Sequence, residues 1–362
     1  MRALVYRGPG VLELAEVADP TPEPGEVIIE VEAAGVCGTD HHLVAGELGV
    51  PQGMVPGHET AGRIAAIGDG VRGWSTGDRV VSYGQVVCGV CDACVTGHQN
   101  RCTRPEGFGM ARPGGYAEAV AVAASSLVAL PEGVDPAVGA IATDAIATPL
   151  HALSTVGNLR AGETVVIIGI GGLGMHAVVL AAMMGAGRII AVDTSATARE
   201  LALALGADDV IDPAAHDSPG KAIRHVAGGA QAAFEFVGRA DTVEYGLEAL
   251  APGGRLVVVG VGHERPLLPP IIRFIGMELT VAGSFGSTLA DIATVLDLIE
   301  RGRLDTSRSV ARRVTMEAAP DLFDGPAGPA RAVIVPGLSS PGGDEPAGTN
   351  DDGADHDPSD NG

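Results

Sequence analysis

Between Thr164 and Gly187 the chain carries no Asp, Glu, Lys or Arg, yet it holds six glycines, at 169, 171, 172, 174, 185 and 187. An uncharged run of that length imitates a membrane span. A buried strand, a tight glycine turn and a helix inside an α/β core give the same hydropathy. The local order supports the second reading. Thr164–Ile168 reads as a strand, Gly169-Ile170-Gly171-Gly172-Leu173-Gly174 as the turn, and Leu173–Met184 as a helix. A lone G-x-G-x-x-G is weak, but between a strand and a helix it becomes a dinucleotide fingerprint. Gly169 permits the tight turn, Gly171 lets backbone approach a pyrophosphate, and Gly174 permits close helix–strand packing. The helix amino terminus then offers N–H groups to phosphate. Asp193 closes the next strand, 19 residues beyond Gly174. A carboxylate there accepts hydrogen bonds from ribose hydroxyls and repels a 2′-phosphate, which predicts NAD over NADP. Arg199 is the feature that pulls toward NADP.

Around this unit the texture changes. The first 130 residues read as short strands broken by glycine and proline, such as Val27–Glu32 and Arg79–Val81, the pattern of an irregular, partly barrel-like β domain. From about 146 strands and helices alternate: after Arg188–Val192 come a helix over Ala198–Leu205, a strand over Asp209–Ile211, and a strand over Arg255–Val259 behind the turn Pro252-Gly253-Gly254. Nearly continuous apolar strands imply a parallel sheet. At 362 residues and 46% hydrophobic content, two domains with real cores are expected. The formal charge of −22 opposes a nucleic-acid partner. Lys221 is the single lysine against 45 acids, which fits either salt adaptation or a GC-rich genome. The opening residues lack the basic end and apolar core of a signal peptide, so a cytoplasmic protein with no membrane partner is expected. The last residues, after Leu338, hold seven acids and no large apolar group, and read as a disordered acidic tail.

Five cysteines leave one over in any disulfide scheme, and four are grouped as Cys88, Cys91, Cys94 and Cys102. Gaps of two, two and seven residues aim several thiolates at one ion, and four thiolates make a closed tetrahedral zinc site with no place for water. An iron–sulfur cluster is the chemical alternative. The fifth, Cys37, stands in Gly35-Val36-Cys37-Gly38-Thr39-Asp40-His41-His42, with Gly57-His58-Glu59 some twenty residues on. Cys37 and His58 suit a second zinc, with Glu59 as an additional or exchangeable oxygen ligand.

In this order and spacing, these motifs resemble the zinc-dependent medium-chain alcohol dehydrogenase family, over residues 1 to 336. Gly114-Gly115-Tyr116-Ala117-Glu118 and Leu250-Ala251-Pro252-Gly253-Gly254-Arg255 add to the likeness. The resemblance implies an α/β protein in which a Rossmann doubly wound parallel sheet is inserted into a GroES-like, mainly-β catalytic domain. The expected division is 1–145 catalytic domain with a structural zinc lobe near 88–102, 146–286 NAD-binding domain, 287–336 return segment, and 337–362 tail. It implies one catalytic and one structural Zn2+ per chain, NAD, and a small alcohol or carbonyl substrate. Cys37 and His58 match the first two catalytic ligands. No cysteine remains for the third, and Asp144, in Ala142-Thr143-Asp144-Ala145, resembles members that use Asp. Thr39 matches the hydroxyl that meets the substrate, His42 the distal end of its proton relay, with His41 beside it, and Asp40 a carboxylate that orients His58. Arg331 resembles a pyrophosphate-contacting arginine, although Ala330 replaces the usual glycine before it. The remaining histidines, His151 and His176 among them, read as surface or core residues. A homodimer or homotetramer is expected. The implied activity is NAD-linked interconversion of an alcohol and its aldehyde or ketone. Polyol, sugar or amino-alcohol (threonine-type) oxidation is the nearest alternative, and a non-catalytic NAD-binding protein the remote one. Gly84, just before the cysteine lobe, leaves room for a wider pocket.

Overall fold

A computed structural model describes residues 1–325 and 328–338; the acidic tail expected beyond Leu338 lies outside the described residues. Six parallel strands form one sheet: Thr164–Ile168, Arg188–Val192, Asp209–Ile211, Ala230–Glu235, Leu250–Val258 and Thr280–Gly283. Their spatial order is third, second, first, fourth, fifth, sixth. The order reverses between the first and fourth strands, which is where an open α/β sheet makes its ligand crevice. Alternation along the first strand shows why the sheet is covered on both sides. Val165 and Ile167 join one core, while Val166 and Ile168 join another with Ile190, Val192, Leu247 and Leu256. Side chains alternate faces along a strand, so an unbroken apolar run buries both.

Residues before and after that sheet build a second one. Its strand order is Val310–Val314, Arg331–Ile334, Glu26–Val36, Glu59–Ile67, Arg79–Ser82 and Leu127–Ala129, with Ala119–Ala123 also paired to Glu26–Val36. Strand Arg331–Ile334 runs antiparallel to Glu26–Val36, pairing Ala332 with Val36. That register sets Arg331 beside Cys37, residues nearly three hundred positions apart in the chain. One core joins both sheets through Val81, Ile141, Ile146, Leu153, Phe234, Ile292 and Val333.

Two details differ from the sequence reading. The helix expected from Ala198 begins at Ala196, because the Ser195 hydroxyl caps it by accepting the Ala198 N–H. The strand expected from Arg255 begins at Leu250: Leu250 pairs with Ala230, Arg255 pairs with Ala232, and the glycine-rich residues between them form a bulge in which Gly253 takes φ +75°. Among the described residues no helix is long and apolar enough to cross a membrane. The uncharged window 164–187 is the strand, turn and helix Thr164–Ile168 and Gly174–Met183.

Candidate active site

Two donor clusters stand apart in the catalytic half. In the first, the sulfurs of Cys88, Cys91, Cys94 and Cys102 lie within 4.8 Å of one another. A one-turn helix, Asp92–Val95, starts at Cys91 and carries Cys94, and a short turn, Gln99–Arg101, delivers Cys102. The sulfur separations of 3.9 Å for Cys88–Cys94 and 3.6 Å for Cys88–Cys102 match the spacing of about 3.8 Å that tetrahedral Zn–S bonds impose. Backbone N–H groups of Thr103 and Cys94 pull the Cys91 thiol down to about 6, while burial pushes the Cys94 thiol up to about 12. Four thiols at this spacing fit a thiolate-bound metal with no further position open.

The second cluster brings Cys37, His58, Glu59 and Asp144 within 4.8 Å. Cys37 ends the strand Glu26–Val36 and caps the helix Gly38–Val44, where its N–H donates to Asp40 Oδ2 at 2.9 Å. Asp40, 1% exposed, also accepts the Tyr116 hydroxyl at 2.8 Å and stands 3.4 Å from His58 Nδ1. Asp40 is thereby fixed to orient the imidazole, as a metal-bound histidine requires. The chain reaches His58 through Gly57 at φ +98°, where a methyl group would come within 2.4 Å of the Tyr116 ring. Asp144 sits on a π-helical turn, Ala142–Ile146, a wide turn of the kind found at functional sites. Its Oδ1 accepts the Thr148 hydroxyl at 2.7 Å, and its Oδ2 lies 3.3 Å from Cys37 Sγ and 4.0 Å from His58 Nε2.

Glu59 is fully buried, and its Oε2 has no hydrogen-bond partner among the described residues. Gly35 makes room for it, since a methyl there would strike Oε2 at 2.0 Å. The Arg331 guanidinium, 4% exposed, stands among these groups: 3.3 Å from Cys37 Sγ, 3.2 Å from Asp144 Oδ2 and 3.1 Å from Glu59 Oε1. The electrostatics follow from burial against pairing. Burial raises Cys37 despite Arg331, and raises Glu59 to about 8. Asp144 resists its burial and stays low because His58 and Arg331 face it, while Asp40 lifts His58 well above the usual imidazole range although burial opposes it. A thiolate, an imidazole and a carboxylate, with an orphaned carboxylate oxygen beside them, are the donor set of a three-ligand zinc site with an exchangeable fourth.

The glycine turn meets this cluster through Arg331. Gly169 has φ +86°, and a methyl at Gly174 would lie 1.8 Å from the Gly169 carbonyl, so both positions need glycine. Gly171 faces open space, while a methyl at Gly172 would come within 2.2 Å of Arg331 Nη1. Ile170 N–H donates to Asp193 Oδ2 at 2.7 Å, and Ser195 N–H to Oδ1 at 2.8 Å. Leu173 precedes the first helical residue, Gly174. Arg199 is held back: it donates to the Asp193 carbonyl at 2.7 Å and pairs with Asp212 at 3.2 Å.

Thr39 Oγ1 lies 3.7 Å from Cys37 Sγ. His42 is exposed, with Nδ1 2.6 Å from Glu47 Oε2, whereas the His41 ring packs at a tilt against Phe323, with centroids 5.0 Å apart. His151 and His176 are buried and hydrogen-bonded. Two features were not assigned from sequence: the Tyr116 brace on Asp40, and the approach of Arg331 to the donors as well as to the turn. The two glycines before Tyr116 were its signal, since Gly114 fits only by lying against the Gly57 backbone.

Comparison with known proteins agrees with this geometry. The model for the alcohol dehydrogenase GroES-like domain matches residues 23–132, and that for zinc-binding dehydrogenases matches 172–301. An alcohol dehydrogenase of Geobacillus stearothermophilus is 34% identical over 89% of this chain and 94% of its own. An L-threonine 3-dehydrogenase of Saccharopolyspora erythraea is 31% identical over 90% and 95%. The solved alcohol dehydrogenase of Thermus sp. ATN1 superposes with a TM-score of 0.86 at 32% identity, covering 92% of this chain and 99% of that one.

Proposed function

The chain belongs to the zinc-containing medium-chain alcohol dehydrogenase family, and on that premise we propose that it oxidises a small alcohol with NAD, reversibly, at the Cys37–His58–Asp144 cluster. The observation that carries the reading is the convergence of those three donors, from distant segments, beside an arginine that also touches the glycine turn. Bound by these three donors, zinc would supply Lewis acidity toward a substrate oxygen, and a nicotinamide dinucleotide on the glycine turn would supply the hydride acceptor. Asp40 faces His58 Nδ1, which leaves Nε2 as the ring nitrogen turned toward the donor cluster. Thr39 Oγ1, beside Cys37, is placed to accept the hydrogen bond of the substrate hydroxyl, and exposed His42, paired with Glu47, to exchange a proton with solvent. Glu59 is the exchangeable oxygen donor. Cys88, Cys91, Cys94 and Cys102 hold a structural zinc. Asp193 favours NAD because its carboxylate repels a 2′-phosphate, and the Arg199–Asp212 pair keeps the nearest cation from offsetting that repulsion. A methyl at Gly84 would meet His58 at ordinary van der Waals distance, 3.5 Å from its carbonyl and 3.9 Å from its Cδ2, so a larger residue there would pack against the imidazole.

The test is reduction of NAD and of NADP by zinc-loaded protein with primary, secondary, polyol, sugar and amino alcohols, at low and high salt, beside Asp144→Ala. Turnover with NAD that collapses in the variant supports the reading, and the best alcohol fixes the substrate class. Full activity in Asp144→Ala rejects the third ligand. Bound zinc and NAD with no turnover on any alcohol returns the non-catalytic alternative.

We also propose that the protein is a homo-oligomer through the free edge of the parallel sheet. Beside the edge strand Thr280–Gly283, the segment 267–275 exposes Leu267, Leu268, Ile271, Ile272 and Ile275, each at least 61% accessible. A contiguous apolar patch at an open sheet edge is a self-association surface or an aggregation hazard. Light scattering on Ile271→Glu with Ile272→Glu is expected to show monomer where the wild type shows dimer or tetramer; an unchanged mass rejects this face.

A further inference from the structure

The first turn of the helix Gly174–Met183 is irregular at Gly172. Met175 N–H donates to the Gly171 carbonyl at 3.0 Å, and Ala177 N–H to the Leu173 carbonyl at 2.9 Å. The Gly172 carbonyl between them is taken by a side chain, with His176 Nδ1 2.7 Å away. A ring nitrogen facing a carbonyl must carry the proton, so Nδ1 donates and Nε2 is left as the acceptor in a neutral ring. Nε2 lies 2.9 Å from Ser309 Oγ, whose hydroxyl donates to it. Burial, with 2% exposure, lowers the imidazole to about 4, in keeping with one neutral tautomer.

Ser309 belongs to the returning part of the chain, and its carbonyl accepts the Arg331 N–H at 3.0 Å. Gly172 is therefore gripped twice by that segment: on its carbonyl through His176 and Ser309, and on its Cα by the Arg331 guanidinium. In a planar trans peptide the Gly172 carbonyl and the Leu173 N–H point in opposite directions. A carbonyl held down the helix toward His176 aims the Leu173 N–H out of the helix amino terminus, where a pyrophosphate is received.

We propose that His176 is a positioning residue for dinucleotide binding: it locks the 172–173 peptide so that the Leu173 N–H faces the pyrophosphate, and it ties that peptide to the return segment through Ser309. The inference rests on the reading of the glycine turn as a pyrophosphate site. Without the imidazole the peptide is free to rotate, and a carbonyl turned toward the phosphates would repel them.

The test uses zinc-loaded full-length protein and the dissociation constants of NAD and ADP-ribose by calorimetry, with KM and kcat alongside. In His176→Leu both ligands are expected to bind about tenfold more weakly, with KM for NAD raised and kcat at saturation changed less than about twofold. In His176→Asn, Nδ2 stands as far from Cβ as His Nδ1 does, so it reaches the Gly172 carbonyl and should recover most of the affinity. A structural role alone would not give recovery by the residue that keeps one bond and loses the other. His176→Leu binding within about twofold of wild type, or His176→Asn as weak as His176→Leu, overturns the proposal. Should His176→Leu not fold, Ser309→Ala carries the test, with about threefold weaker ADP-ribose binding expected and unchanged binding overturning it. A wild-type protein that binds neither NAD nor ADP-ribose instead overturns the reading of the turn itself.

Discussion

Cys88, Cys91, Cys94 and Cys102 come from one short stretch of chain, while Cys37 and Asp144 are 107 positions apart and meet an arginine from the far end of the fold. The lobe is held by local turns and offers only thiols as donors. The other cluster is assembled from distant strands of the second sheet and the turn Ala142–Ile146, has Cys37 and Glu59 buried and His58 and Asp144 half-buried, and mixes a thiol, an imidazole and two carboxylates with a guanidinium. Uniform donors at local spacing leave a metal nowhere to meet a substrate. Mixed donors from distant segments leave one carboxylate oxygen without a partner among the described residues and place alongside them an arginine that also approaches the glycine turn.

The largest effect expected from this contrast is at Cys37. Cys37→Ala should lower turnover a thousandfold or more, about 4 kcal/mol of transition-state stabilisation, because the ligand that fixes the metal is gone. Metal analysis should fall from two zinc ions per chain to one, with circular dichroism unchanged. A variant that keeps both ions would show that Glu59 closes the site without the thiolate.

Cys94→Ser should produce the inverse pattern. The lobe cannot close around its metal, and the loss falls on stability, since metal affinity is folding free energy where the site is local. A destabilisation of about 3–5 kcal/mol, some 10 °C in Tm, is expected, with turnover per folded molecule within about threefold of wild type. Turnover that collapses along with Tm would break the division of labour between the clusters.

The same contrast explains what could be read from sequence. The lobe was legible because its spacing is its structure, and the glycine turn was legible because φ +86° at Gly169 and the close packing at Gly174 leave no other residue type. Asp144 had no local signature; only the resemblance pointed to it, since its place beside Cys37 depends on the packing of the π-turn Ala142–Ile146. Arg331 was attached to the cofactor alone, because the register Ala332–Val36 that swings it to Cys37 is a long-range pairing. His176 gave no signal at all. A histidine on an apolar helix reads as core, and its two partners, Gly172 and Ser309, lie in different segments.

A buried chain of side chains joins the lobe to the other half. Asn100, inside the lobe, donates through Nδ2 to the Phe285 carbonyl at 2.8 Å and to His151 Nε2 at 3.2 Å. His151 Nδ1 in turn donates to Asp291 Oδ2 at 2.8 Å, and Asp291 also receives the Thr288 N–H and hydroxyl at the start of the helix Leu289–Glu300. Although burial opposes it, these donors hold the Asp291 carboxyl below its ordinary value. A folded-state pKa below the unfolded one, near 3.9, gives stability that is full above pH ~4 and lost as pH falls through the folded value. Asp291→Asn should therefore cost about 2 kcal/mol at pH 7, partly through the helix cap, and the gap to wild type should close below pH ~4. A gap that stays constant with pH would mean that the charge contributes nothing.

Asn100 offers the smallest effect and the finest distinction. Asn100→Ala removes two hydrogen bonds but also a buried Oδ1 that lacks a partner among the described residues. The two changes oppose each other, so a net loss of about 1 kcal/mol is expected, with both zinc ions retained. The informative measurement is the cycle with Cys94→Ser. If the lobe steadies the segment 285–291 through Asn100, melting the lobe already breaks those bonds, and the double variant should be more stable than the sum of single losses predicts by about 1 kcal/mol. Strict additivity would mean that the bonds of Asn100 survive a melted lobe. The four-cysteine site would then stabilise only its own loop, and the contrast between the two clusters would extend to everything each one touches.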